Sequence, residues 1–271
     1  MLADGYYKSL PIEEYIKEPG LSKSGLSDLW VSPAHYKARQ LEPKKFAAAD
    51  LGSAVHALVL EPERAESIIV TPPVEVLGKN GAKSTNSYKE WVGLQDKGAL
   101  ILSADEYDAA QSMREAVLTH PRAAELLSNG NPEVSMFWTD GDGLRVKCRP
   151  DYLGDTGYYV DLKTTVCAKP NVFGRQAHNL HYHWSAAHTN VVGKGLSGEP
   201  NLPYYFIAVE KELPFSVCVF ETPKELMDLA VDEIMPLYTR YKLCKEFDQW
   251  QSYSTEIEPL TFPRWAYKRE D

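Results

Sequence analysis

Between Glu133 and Thr165 the chain offers three β-forming runs separated by two turns, which leaves room for little besides a short antiparallel meander. Glu133 to Thr139 is the first run, Asp140-Gly141-Asp142-Gly143 is a turn signal, and Leu144 to Leu153 reads as a second strand. A second turn, Gly154-Asp155-Thr156-Gly157, leads into a third strand from Tyr158 to Thr164. Side chains alternate along a strand, so Asp161 and Lys163 share one face and Val160 and Leu162 the other. By the same parity Arg145, Lys147, Arg149 and Asp151 line one side of the middle strand, opposite Leu144, Val146 and Cys148.

The second turn brings Asp151 near Asp161, with Lys163 beside them. Paired carboxylates are hard oxygen ligands suited to Mg²⁺ or Mn²⁺. Such an ion lowers the pKa of its water and polarises a phosphoryl oxygen, and an adjacent ammonium can orient the nucleophile or neutralise developing charge. Glu133 is a candidate third carboxylate, its direction set by the strand register. Arg145, Lys147 and Arg149 are candidate DNA-binding groups leading to the first aspartate. Spacing alone leaves a second reading open, a solvated strand face whose ion pairs are worth about 0–1 kcal/mol each.

Pro150-Asp151 followed by Asp161-Leu162-Lys163-Thr164 resembles the PD-(D/E)xK nuclease signature, in the D-x-K-T form of RecB-type nuclease domains. Upstream, the segment from Leu51 to Pro62, with Gly52 and His56, resembles the G-x-x-x-H helix of that group. Leu21-Ser22-Lys23-Ser24, Ser32-Pro33-Ala34-His35-Tyr36 and the closing Leu260 to Ala266 also look like the C-terminal nuclease domain of RecE, exonuclease VIII. The resemblance spans nearly the whole chain. It implies a Mg²⁺-dependent exonuclease, with Mn²⁺ substituting and two ions per site, that degrades the 5′-ended strand of duplex DNA and leaves a 3′ tail. It further implies a ring-shaped homo-oligomer, trimer or tetramer, acting at double-stranded DNA ends with a single-strand annealing recombinase in phage or prophage recombination. Carried over residue by residue, His56 becomes a metal-associated histidine, Glu133 the auxiliary acid, Asp151 and Asp161 the metal ligands, and Lys163 the catalytic lysine.

One motif departs from that pattern. The Q-x-x-x-Y helix expected after the D-x-K strand has Ser185 and Thr189 in its place, while Gln176 and Tyr182 have the wrong spacing. The departure keeps alternatives in play: a noncatalytic DNA-end or partner-binding module, or a RecB-type nuclease of another pathway. An iron–sulfur adaptation nuclease is disfavoured, because no cysteine quartet is present. Without the D-x-K motif, His56 on an apolar helix spanning Ala47 to Leu60 would read as a core histidine; beside that motif, it reads as a ligand. His178, His181, His183 and His188 cluster, but the four scattered cysteines give no zinc pattern, and a mobile or DNA-facing helix is expected there.

At 271 residues and 44% hydrophobic content the chain can bury the core of one nuclease domain. Within 1–271 we expect a helical N-terminal part over 1–100, with a mobile, turn-rich loop near 71–87, and a catalytic core over 101–271. Ser103 to Leu118 is a helix opened by a capping box, Tyr204 to Glu210 and Phe215 to Glu221 form a hairpin, and Thr222 caps a last helix bent at Pro236. The fold class is thus α/β, a central mixed β-sheet flanked by helices. A net charge of −9 excludes a nonspecific nucleic-acid coat, although an enclosed basic site escapes that objection. No apolar run is long enough for a bilayer, and scattered cysteines fit a reduced, cytoplasmic protein, which the resemblance implies is in a bacterial host.

Overall fold

The computed structural model of the chain describes residues 1–42, 51–96 and 98–262. A short strand β1 (Gly5–Tyr7) precedes helices α1 (Ile12–Lys17), α2 (Lys23–Val31) and α3 (Pro33–Leu41). Ser22 and Ser32 cap the last two, each accepting a backbone N–H three residues on, and Pro33 occupies a first-turn position where its missing N–H costs nothing. Helix α4 (Leu51–Leu60) carries His56; the expected helix positions Ala47 to Asp50, like the closing positions Pro263 to Ala266, lie outside the described residues. Helix α5 (Pro62–Ile68) and strand β2 (Ile69–Val70) follow.

The 71–87 segment contains two 3-10 turns, Val74–Val76 and Lys79–Gly81. Thr85 ties it down twice, capping helix α6 (Asn86–Gly93) and donating to Val76 O at 2.6 Å. Strand β3 (Leu100–Ile101) pairs in parallel with β2. Helix α7 (Ala104–Thr119) opens with the anticipated capping box, in which Ser103 and Glu106 satisfy each other's backbone N–H groups, and α8 (Pro121–Leu126) follows.

The chain continues with β4 (Gly130–Pro132), β5 (Ser135–Thr139), β6 (Arg145–Cys148), β7 (Tyr152–Gly154) and β8 (Tyr158–Thr165). Helices α9 (Pro170–Asn179) and α10 (Tyr182–Ser197) connect β8 to β9 (Tyr204–Glu210), which turns into β10 (Val217–Glu221) and helix α11 (Lys224–Phe247). Strands β8 and β9 are parallel, as a helical crossover requires, whereas β10–β9, β8–β7 and β7–β4 are antiparallel. The expectation of a single strand from Leu144 to Leu153 is corrected. Strand β6 belongs to a three-stranded sheet ordered β1-β5-β6, and β7 to the five-stranded sheet ordered β10-β9-β8-β7-β4. Pro150, with no N–H to give a ladder, stands between them.

The five-stranded sheet is buried on both faces. Tyr159, Tyr204, Phe206 and Ala208 meet one core with residues of α2, α10 and α11; Val160, Leu162, Ile207 and Val209 meet a second with residues of α4, α5, α7 and α8. Asp161 shares its parity with Tyr159, so it enters the first core, while α4 packs on the opposite face. At the start of α11 the expected cap fails: Pro223 holds the N-cap position without a side-chain bond, and the hydroxyl of Thr222 is buried without a partner among the described residues. The helix runs on through Pro236. Among the described residues no helix is long and apolar enough to cross a membrane.

Candidate active site

The site is built where one ladder ends. Strands β7 and β8 pair as far as Tyr152–Val160, and continuing the register would set Pro150 opposite Leu162. Side chains take over the main-chain groups of Leu162 at that edge. The Asp151 carboxylate accepts the Leu162 N–H at 2.7 Å, and His56 Nε2, reaching over from α4, donates to the Leu162 carbonyl at 2.5 Å. A carbonyl can only accept, so Nε2 carries the proton and the Nδ1 lone pair is free. Nδ1 lies 3.6 Å from Asp151 Oδ2.

Glu133 completes a group of three. It adopts φ 53°, an uncommon left-handed conformation for this residue type, and its N–H bonds Asp151 O at 3.0 Å. One ligand atom each from His56, Glu133 and Asp151 lies within 4.8 Å of the other two. Two carboxylates and an imidazole held this closely fit a divalent cation of the Mg²⁺ or Mn²⁺ kind. The hydrogen bond from Nε2 to a fixed carbonyl is the kind of support that orients a ligating histidine.

Asp161 stands beside this group with its oxygens otherwise engaged. Lys163 bonds Oδ1, as expected for neighbours two apart on one strand face, and Tyr204 donates to Oδ2 at 3.2 Å. Asp161 is 5% exposed. Burial pushes its carboxyl up to about 6, the Lys163 charge pulls it down, and the nearby Asp151 pushes it up again. Burial disfavours the Lys163 ammonium, but Asp161 and then Asp151 more than offset this and raise it above the usual lysine range. The structure therefore brings His56, Glu133, Asp151, Asp161 and Lys163 into one site.

The basic groups of β6, expected at phosphates, are bonded within the protein. Lys147 is 8% exposed and its ammonium donates to three carbonyls, Tyr15 at 2.9 Å, Ile16 at 3.2 Å and Glu18 at 2.6 Å, around the end of α1. Arg145 is spent on Asp4, Leu2 O and Pro19 O. Arg149 is buried too: its Nε donates to Glu133 Oε2 at 2.6 Å, and Nη1 to Leu10 O at 2.8 Å and Ser135 Oγ at 3.2 Å. The three residues proposed for DNA are thus committed within the protein in this structure. Arg145 and Lys147 fasten the N-terminal segment, and Arg149 fixes Glu133.

Gln176 and Tyr182 were set aside for their spacing, yet they meet here. Thr165 Oγ1 donates to Gln176 Oε1 at 2.7 Å, Gln176 Nε2 donates to Tyr182 OH at 3.2 Å, and the Lys163 ammonium sits 5.4 Å above the Tyr182 ring. The break between α9 and α10 absorbs the extra residues, a device invisible to a motif that assumes one helix. The histidines do not form a DNA-facing helix. His188 is fully buried, donating from Nε2 to Lys147 O at 2.9 Å and accepting at Nδ1 from Tyr238 OH at 2.6 Å, while His183 bonds Glu233 at 2.8 Å.

A family model described as a PDDEXK-like domain of unknown function (DUF3799) matches residues 22–261. No curated protein matches the sequence at a significant level. Among solved structures, the crystal structure of a protein from Eubacterium rectale, provisionally described as an exonuclease, superposes with a TM-score of 0.61 at 14% identity, covering 93% of this chain and 96% of that one. Another, of SSO0001, has a TM-score of 0.28 at 12% identity over 84% of this chain and 87% of that one.

Proposed function

We infer function from the premise that this chain belongs to the PDDEXK-like family DUF3799. The reading is a metal-dependent exodeoxyribonuclease that degrades the 5′-ended strand of linear double-stranded DNA and leaves 3′ single-stranded tails. The carrying observation is the convergence of His56, Glu133 and Asp151 beside the Asp161–Lys163 pair. Attack at a DNA end agrees with the exonuclease description of the Eubacterium rectale protein. The strand polarity, a cytoplasmic phage or prophage setting, a ring-shaped oligomer and a single-strand annealing partner rest on the resemblance to RecE.

His56 Nδ1, Glu133 and Asp151 would hold Mg²⁺ or Mn²⁺, and Asp161, held by Lys163 and Tyr204, would join as a ligand on release of one of those bonds. When bound, such ions supply an activated water and polarise the phosphoryl oxygens. The chain's own groups do the rest. Lys163, kept protonated by two carboxylates, offers an N–H to charge developing on the phosphate. Tyr182, bonded to Gln176, restricts where that ammonium can swing, and Arg149 fixes Glu133. The missing Q-x-x-x-Y spacing motivated a noncatalytic reading, and the Gln176–Tyr182 contact removes that motive.

The test is digestion of linear duplexes labelled at one 5′ or one 3′ end, with and without a 5′-phosphate, in Mn²⁺. Label should leave from the 5′ end first, and Asp161→Asn should release none. Release from the 3′ end would overturn the polarity. A wild-type protein that cuts no duplex would return the chain to the noncatalytic reading.

A further inference from the structure

Helix α2 presents a face that the reaction above does not use. Lys23, Ser27 and Trp30 recur at i, i+4 and i+7, so they form one stripe along the helix. Its lower end lies within electrostatic reach of the active site. Lys23 donates to Leu180 O at 3.1 Å, and its ammonium is held down by burial and by the charge of Lys163, while Asp161 draws it up. Its upper end is Trp30, 58% exposed, against which the His181 ring stands edge-on at 4.9 Å and the Trp184 ring at 6.3 Å.

His181 props this aromatic at a cost. It takes a left-handed φ of 52° between α9 and α10, and both ring nitrogens are buried without a hydrogen bond among the described residues. Burial and then the Lys23 charge disfavour its protonation. Strain and an unsatisfied polar group kept together beside a candidate active site point to function rather than stability. Glu233, an exposed acid near His181, is paired with Trp184 Nε1 at 2.6 Å and His183 Nε2 at 2.8 Å.

We propose that the Lys23–Trp30 stripe is a binding track for an unpaired DNA strand at the mouth of the active site, one base stacking on Trp30 and a phosphate pairing with Lys23. An exposed aromatic face beside a cation is what single-stranded nucleic acid needs, since every base has a π-face and every linkage a charge. The acidic surface of the rest of the chain, net charge −9, gives the strand little reason to bind elsewhere. The proposal rests on the nuclease reading only for the identity of its ligand.

The experiment is metal-free binding of a fluorescein-labelled oligothymidylate, with EDTA present, at two salt concentrations. Trp30→Ala should weaken binding about 5- to 100-fold, with Trp30→Tyr restoring most of it. Lys23→Gln should flatten the dependence of log K on log salt by about 0.7, one phosphate contact. Melting curves should be unchanged, because Trp30 is largely exposed. The proposal falls if wild-type protein binds no single strand, if Trp30→Ala binds like wild type, or if Trp30→Tyr is as weak as the alanine. It also falls if Trp30→Ala changes the sedimentation state, which would give the face to a second copy of the chain. A protein that holds the oligonucleotide through Trp30 yet cuts nothing in Mn²⁺ would sink the nuclease reading and leave the track standing.

Discussion

Lys147 and Lys163 sit in the same half of the protein, both deep among other groups, and their surroundings drive them in opposite directions. Burial lowers Lys147 to about 8, partly offset by Glu18, whereas the carboxylates of Asp161 and Asp151 raise Lys163 above the usual lysine range despite burial. The first ammonium is enclosed by neutral carbonyls near the end of α1, which favour a cation only weakly. The second is enclosed by acids that themselves lack enough cations. A buried lysine among carbonyls is a fastening; a half-buried lysine among surplus carboxylates implies a site that expects more positive charge.

Substituting each lysine breaks the comparison most directly. Lys163→Met should lower cleavage of linear duplex by at least about 10²–10³-fold, the usual consequence of removing a donor aimed at developing charge. Lys147→Met should leave cleavage per folded molecule near normal but destabilise the fold by about 1–3 kcal/mol, because carbonyls at the end of α1 lose their donor. Denaturant melts and end-labelled digestion read the two effects separately. Equal loss of activity in both would mean that β6 also serves the substrate. Arg149 lies between the two cases, being buried like Lys147 but bonded to an acid like Lys163. Arg149→Gln should weaken Mn²⁺ uptake about 10- to 100-fold by calorimetry, as loss of a group that orients a ligand does. Unchanged affinity would place it with the fastenings.

Much of this contrast could be read from the sequence, and the part that could not has a definite physical cause. Strand β8 emerges with its expected bounds to within a residue, and period-2 alternation puts Asp161 and Lys163 together as anticipated. The same rule misled on β6, because alternation assigns a face only while a strand continues. At Arg149–Asp151 the chain passes from one sheet to another, so Arg145 and Lys147 answer to the N-terminal segment instead of the site. That segment is more than 120 positions distant in sequence, and nothing local announces it. Gln176 and Tyr182 escaped for a related reason: a helix break changes which residues are neighbours. His56 was legible only as an association, whereas its protonated Nε2 follows from a carbonyl at the end of a ladder. Pro150, read as part of a motif, was also the signal for the strand break.

Alkaline titration offers the finest separation. Lys147 has a folded value near 8 against 10.5 when exposed, so between these limits the unfolded chain binds more protons and stability rises with pH. The stability gap between wild type and Lys147→Met should therefore widen from about pH 8 to 10.5, by on the order of 2–3 kcal/mol. Lys163 behaves in the opposite sense. Its folded value is raised, so its contribution is complete below 10.5 and is lost only as pH climbs through that raised value. Across pH 8 to 10.5 the gap between wild type and Lys163→Met should stay level, then narrow in stronger alkali. Denaturant midpoints measured for the three proteins over this range decide the matter. If the Lys147 gap stayed level as well, the carbonyls would be holding a full charge as firmly as carboxylates do, and the distinction between fastening and catalytic lysines would lose its electrostatic basis.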